Sequence, residues 1–255
     1  MATDLKGSGG ADTPSSAPIM RVQDLGFRRG ERWLFRHLNI ELRAGDFIAV
    51  VGPSGVGKTT LLSCLCGLLQ PDEGSVSLSL PHEAAACAPE ALRRNLGIVF
   101  QDLQLIQNAD LLTNVLCGRL AELSCLRTFL GFPAQYKIEA FALLQELGIA
   151  REPHKWVCEL SGGEQQRVAI ARALFQQPEI YFADEPVSHL DSYYAGRVLG
   201  LLKQAAQVER KAVFCVLHNA EHIQRFADVA LSLNPHDPAD CRLRRLHRPT
   251  KEVNS

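Results

Sequence analysis

Metal-binding cysteine patterns, membrane-length apolar runs and a leader-like N-terminus are all missing from these 255 residues. Eight cysteines are present, at 64, 66, 87, 117, 125, 158, 215 and 241, yet no C-x-x-C pair or Cys/His cluster joins them. That excludes a zinc site of the usual spacing, and the thiols, several of them in apolar runs, read as buried and reduced. No stretch reaches the ~18 apolar residues of a membrane-spanning helix. The first residues lack a charged-then-apolar signal pattern. The expectation is a soluble, cytoplasmic protein that meets a membrane only through a partner. A net charge of −1 gives no electrostatic footprint for nucleic acid, so no nucleic-acid partner is expected. Sustained heptads are absent as well. What remains is a chain long enough for one large α/β domain, or for a domain carrying a subdomain.

The strongest local signal is Phe47-Ile48-Ala49-Val50-Val51 followed by Gly52-Pro53-Ser54-Gly55-Val56-Gly57-Lys58-Thr59-Thr60. Five apolar, β-branched-rich residues read as a buried strand, and Leu61-Leu62 onward as a helix. The nine between fit G-x-x-x-x-G-K-[ST] in the strand–loop–helix setting that this phosphate-binding motif requires. Its glycines let the backbone turn tightly and bring N–H groups against phosphate oxygens. The helix start adds its positive dipole end. Lys58 can reach the β- and γ-phosphates, and the Thr59 hydroxyl can join a Mg²⁺ shell.

Around this loop the chain divides in order. Residues 1–18, rich in Gly, Ser and Pro, read as a disordered tail, with order beginning near Ile19. Leu34, Leu38, Ile40 and Leu42 share one face of a strand. Phe27 precedes Gly52 by 25 residues and reads either as a core aromatic or as a ring stacked on an adenine face. The phosphate-loop helix is expected to run to about Leu69, with Asp72-Glu73-Gly74 as a turn. Residues 81–95 carry little signal. Gly97-Ile98-Val99-Phe100 is a second buried strand, and Gln101 at its end is either a polar terminus or a Mg²⁺ ligand. From about 103 the pattern is helical, with Ala140, Leu143, Leu144 and Leu147 on one face and a stop at Gly148. It reads as a helical subdomain, about 103–175, inserted in the α/β core and broken at Gly131-Phe132-Pro133.

Leu160-Ser161-Gly162-Gly163-Glu164-Gln165-Gln166-Arg167 then opens an Ala-rich helix to about Gln176. Ser161 and Glu164 have capping-box spacing. Two glycines in the first turn are costly unless exposed N–H groups must approach an anion. Pro178–Glu185 is a buried strand ending in two carboxylates, Asp184 and Glu185. One can hold Mg²⁺ through water while the other orients a nucleophilic water as general base. Ser188-His189-Leu190-Asp191 leads into a helix with Val198, Leu201, Leu202 and Ala205 aligned. Ala212–Leu217 is a strand delivering His218, by itself more often a structural residue. Loop, acid pair and His218 all end strands, and open parallel sheets bind ligands at that edge.

In this order the pieces resemble the ATP-binding subunit of an ATP-binding-cassette (ABC) transporter across roughly residues 20–235. The most specific element is Leu160–Gln166, the family's signature motif. The resemblance implies a phosphate-loop NTPase core with a mixed sheet, an N-terminal antiparallel β subdomain and the inserted helical subdomain, spanning residues 19–235 before a C-terminal tail at 236–255. It implies Phe27 as the adenine-stacking aromatic and Gly52–Thr60 as the Walker A loop. Gln101 becomes the Q-loop residue and a Mg²⁺ ligand beside Thr59 and Asp184. Glu185 becomes the catalytic glutamate, Asp191 the D-loop aspartate and His218 the switch histidine. It further implies a head-to-tail homodimer in which ATP lies between one copy's Walker A loop and the other's Ser161, Gly162, Gly163 and Gln165. Integral membrane permease subunits and a periplasmic solute-binding protein complete the implied assembly, which seats this subunit on the cytoplasmic face of the inner membrane.

Within the family, Gln101–Leu105, Asn114-Val115-Leu116-Cys117-Gly118-Arg119-Leu120 and Leu126–Gly131 are similar to bacterial phosphonate importer ATPases. Lipoprotein-release and macrolide-efflux ATPases share the core motifs and form the alternative, and soluble ABC ATPases a more remote one. Three departures stand out. His189 occupies a usually small position, and Tyr181 adds a hydroxyl to a buried strand. The basic end (Arg242, Arg244, Arg245, Arg248) replaces an expected hairpin and reads as a solvated terminus or, as the sharper option, a patch near anionic lipid headgroups.

Overall fold

A computed structural model describes residues 17–79, 95–123 and 131–246. Most of the expected N-terminal tail, residues 81–94, Cys87, Cys125, most of Leu126–Gly131 and Arg248 lie outside the described residues.

Two sheets share the work. The first is antiparallel, in the order β2 (Arg32–Leu42), β1 (Met20–Arg29), β4 (Glu73–Leu78). Its inward face carries Leu38, Ile40 and Leu42, as the alternation of Leu34–Leu42 requires. The pairing with β1 shifts register at three places, one of them between Leu38 and Phe35, where His37 takes φ 56°. That bulge lets Phe35 point inward too.

The second sheet has six strands in the order β5 (Leu96–Val99), β6 (Ile180–Asp184), β7 (Ala212–Val216), β3 (Phe47–Val51), β8 (Val229–Ser232), β9 (Arg242–Arg245). The pairs from β5 to β8 are parallel, and β8–β9 is antiparallel. Strands β3, β6 and β7 are apolar almost throughout because both faces are covered. Phe47, Ala49, Tyr181, Ala183, Val213 and Cys215 face one core. Ile48, Val50, Ile180, Phe182, Phe214 and Val216 face the other, which the antiparallel sheet and helix α1 (Lys58–Leu65) close.

The first core is completed by α2 (Leu111–Leu116), α3 (Ala134–Glu146), α4 (Gly162–Gln176) and α5 (Ser192–Gln207). A last helix, α6 (Ala220–Phe226), links β7 to β8. The mixed α/β core, the antiparallel sheet and the helical insertion match the expected architecture.

Local expectations fared unevenly. Helix α4 ends at Gln176 as expected, and α3 stops before Gly148, which takes φ 70°. Helix α1 stops at Leu65 rather than Leu69, because Gly67 at φ 69° closes it with Leu68 N–H bonded back to Ser63 O. The expected turn at Glu73-Gly74 belongs to β4, and Gly74 tolerates its φ of 79° only because it lacks a side chain. The stretch from 103 to 110 is not helical, and 117–122 is a 3₁₀ turn. The basic end is no free terminus: Arg242, Arg244 and Arg245 lie in β9, paired with β8 while their side chains stay exposed. Cys64, Cys66 and Cys215 are buried as expected, whereas Cys158 is exposed. Tyr181 is 1% exposed, burial pushes its phenol well up, and it borders a cavity of about 300 Å³ with Arg119 and Glu209.

The stretch Asn114–Leu120 has a structural account. Val115 and Leu116 fill the core, and a side chain at Gly118 would run into the carbonyl of Arg172 on α4. Asn114, fully buried, accepts from Ile106 N–H at 2.8 Å and donates to the carbonyls of Ile106 and Asp110 at 3.0 and 3.1 Å. The side chain thereby supplies the backbone partners that a non-helical stretch would otherwise lack. Asn114→Ala is expected to cost about 1–3 kcal/mol and lower the thermal midpoint by several degrees. An unchanged midpoint in calorimetry would contradict this.

Candidate functional site

Because β5, β6, β7 and β3 are parallel neighbours, their carboxyl ends lie side by side along one edge. Gln101 lies two residues beyond β5, Asp184 ends β6 with Glu185 next, His218 lies two residues beyond β7, and the 52–57 loop follows β3. Topology alone collects what the sequence scatters over more than 160 positions.

The loop has the conformation its glycines allow. Gly52, Gly55 and Gly57 take φ of 149°, 75° and 113°. A side chain at Gly57 would also meet Leu34 Cβ at 3.0 Å, so the antiparallel sheet braces this turn. Pro53, Ser54 and Gly55 are exposed while Val56, 3% exposed, plugs into the core. Lys58, 6% exposed, donates to the carbonyls of Gly52 and Pro53, each at 2.9 Å. Desolvation holds its ammonium below the usual lysine range, against the pull of Glu185 and Asp184. A phosphate is a stronger partner than either carbonyl. Thr59 is exposed at the start of α1, and Thr60 is half-buried behind it.

Asp184 is 5% exposed, and the Thr59 hydroxyl lies beside its carboxylate. Burial pushes its pKa up first of all; the Thr59 hydroxyl, Lys58 and His218 pull it down, and Glu185 pushes up. A buried carboxylate beside a hydroxyl is a hard-oxygen pair that suits Mg²⁺, which such sites share with nucleotide phosphates. Among the described residues no group of three or more His, Cys, Asp or Glu could hold a metal unaided, so phosphate oxygens would have to complete the shell. Gln101, exposed at the same edge, is the other available oxygen.

Glu185 and His218 form a close pair, Oε1 to Nε2 at 2.6 Å. A cleft of about 610 Å³ opens beside them, bordered by Ser188, Leu190 and Asn219. Glu185 itself takes φ 52°, a conformation that non-glycine residues adopt only under constraint. Asp191 caps α5, its carboxylate accepting from Tyr194 N–H at 2.9 Å. Phe27 is half-buried, with its ring 6.4 Å from Phe35 and tilted by 28°. That geometry suits a core aromatic and a ring backed for stacking equally.

Ser161 caps α4 in a complete capping box: Glu164 Oε2 accepts from Ser161 N–H at 2.9 Å and from its hydroxyl at 2.8 Å, and Glu164 N–H donates to Ser161 Oγ at 3.3 Å. Gly163 is explained by packing, since a Cβ there would sit 3.0 Å from His189 O. Gly162 is not: nothing lies within 4 Å of where its Cβ would be, and Ser161 and Gly162 are exposed. Gln165 does not join them at the surface; its amide donates inward to the carbonyls of Val157 and Leu160 at 3.1 and 3.3 Å, bracing the turn. Among the described residues no hydrogen bond ties 161–165 to the phosphate loop.

One residue went unread in the sequence. Gln166 is 2% exposed and joins Glu185 O to His189 N–H. The available signal was a polar side chain in register with the buried Ile170 and Ala173 on α4.

Comparison with known proteins agrees with this geometry. The ABC transporter family profile matches residues 35–188. The hypophosphite import ATP-binding protein HtxD of Stutzerimonas stutzeri is 40% identical over 82% of this chain, which spans 62% of that protein. The phosphite import ATP-binding protein PxtA of the same organism is 41% identical over 78% of this chain and 72% of its own length. The phosphonates import ATP-binding protein PhnC 2 of Oceanobacillus iheyensis is 34% identical over 84% of this chain and 86% of that protein. Among solved structures, the dimeric post-hydrolysis ATP-binding cassette MJ0796 bound to ADP and Pi superposes with a TM-score of 0.76 at 26% identity, over 89% of this chain and 99% of that one.

Lys58→Ala is expected to weaken ATP binding by about 10–100-fold, the worth of a charge-assisted hydrogen bond. Isothermal titration measures it, and an unchanged affinity would remove Lys58 from the phosphate site.

Proposed function

The chain belongs to the ABC transporter family, and on that footing we propose that it is the ATP-hydrolysing subunit of an importer for phosphonate or a related phosphorus oxyanion. The substrate class is supported by relatives named for hypophosphite, phosphite and phosphonate import. The solute need never touch this subunit. Its permease partners, with a periplasmic solute-binding protein, would carry specificity, and the subunit would sit on the cytoplasmic face of the membrane through them. No helix among the described residues is long and apolar enough to cross a membrane, in keeping with a peripheral role.

Two copies would associate head to tail, each closing the other's nucleotide site. The observation that carries this is Gly162: a helix start left bare and exposed where no packing within the copy requires it. A γ-phosphate from a neighbour gives that absence a reason, with the dipole end of α4 and the exposed N–H groups of its first turn as donors. The relative bound to ADP and Pi is itself dimeric.

Within each composite site the roles follow from chemistry. Phe27 would stack on adenine. The loop N–H groups and Lys58 would neutralise phosphate charge, and Thr59, Asp184 and Gln101 would hold Mg²⁺, which supplies further charge stabilisation at the phosphates. Glu185 would orient and deprotonate the attacking water, with His218 fixing its carboxylate. Asp191, at the start of α5, would face the partner copy.

Glu185→Gln is expected to cut turnover by about 10²–10⁴-fold, while ATP then holds a stable dimer in gel filtration. Normal hydrolysis by this variant would overturn the assignment of the base, and a monomer at saturating ATP would overturn the composite site.

A further inference from the structure

We propose that Gln166 is a positioning residue for hydrolysis, tying the backbone of the catalytic Glu185 to the signature helix of the same copy. The inference rests on the reading of Glu185 as general base. Gln166 Nε2 donates to the Glu185 carbonyl at 2.9 Å, and its Oε1 accepts from His189 N–H at 3.2 Å. The amide is thus spent at both ends on the segment that carries the base.

That segment needs holding. Glu185 takes φ 52°, which costs a non-glycine residue energy and persists only where neighbours impose it. Its carbonyl also accepts from the Ser188 N–H at 3.3 Å and the Ser188 hydroxyl at 3.1 Å. Those two donors belong to the same turn and move with it. Gln166 comes from another element, so it fixes where the turn sits. The conformation in turn aims the Glu185 carboxylate at His218, 2.6 Å away.

Two neighbouring positions fix α4 in its surroundings, the first of them against the same segment. Gly163 allows His189 O to approach, and the Arg167 guanidinium lies 4.0 Å over the Tyr194 ring while donating to Leu147 O at 2.8 Å. Gln166 thus joins the helix that begins at Ser161 and Gly162 to the backbone of Glu185. Under head-to-tail pairing, Ser161 reads the neighbour's nucleotide whereas Glu185 serves its own. Gln166 is then the side chain that joins the helix facing one site to the base of the other.

The test is a double-mutant cycle on ATP hydrolysis. Gln166→Met keeps the shape and removes both hydrogen bonds; it is expected to lower kcat about tenfold, with KM for ATP within about twofold. In a Glu185→Gln background the same change is expected to cost nothing more, because the group it positions is gone. Gln166→Glu, which still accepts from His189 N–H but cannot donate to Glu185 O, is expected to lose kcat similarly and guards against misfolding of the first variant. Wild-type kcat in a folded Gln166 variant, or losses that multiply in the double variant, would overturn the proposal. Normal turnover by Glu185→Gln alone would instead sink the assignment of the base, and this role with it.

Discussion

Everything at the site depends on four parallel strands ending together. Hydrogen bonding between β5, β6, β7 and β3 fixes their carboxyl ends to within a residue or so of each other, with Asp184 opposite Val216 and Val216 opposite Val50. Both faces of that sheet are buried, which pins its register: a slip of one residue would turn Ile48, Phe182 and Phe214 into the wrong core. The apolar interior thus holds a set of polar side chains in line at its rim. Charge is concentrated there in a partly dry setting, which is why Asp184 is pushed up and Lys58 pushed down.

The same sheet bears on the proposal that one copy is only half a reaction centre. Its edge carries the phosphate loop, the acids and His218, while Ser161 and Gly162 stand exposed at the end of a helix packed on the other core. Stability within the copy asks for the capping box and for Gly163, but not for Gly162. A residue that costs helix stability without easing any contact is better explained by something outside the copy.

How much of this was legible in the residues follows from where each element's information resides. The phosphate loop, the Ser161 cap and the buried strands were readable because glycine conformation, cap chemistry and apolar runs are local. Strand β4 was not, since Asp72-Glu73-Gly74 reads as a turn until β1 pairs with Glu73 onward. Strand β9 was hidden for the same reason: three arginines give no β signal, and its order comes from backbone bonding to β8. Helix α1 ended early because Gly67 outweighed the leucines after it. Gln166 was passed over because its partners are backbone groups 19 and 23 residues away. Phe27 lies half-buried beside Phe35, Gln101 is exposed beyond β5 and Asp191 caps α5, and their roles toward nucleotide rest on the proposed function.

Complementation between two defective copies tests the central claim most directly. One copy would carry Ser161→Arg and the other Lys58→Ala, both in a Glu185→Gln background, and ATP retained after gel filtration would be counted. If each nucleotide is enclosed by two copies, neither variant alone dimerises with ATP, and the mixture forms a heterodimer that retains one nucleotide. A mixture that stays monomeric and retains no more ATP than its parts would contradict the account.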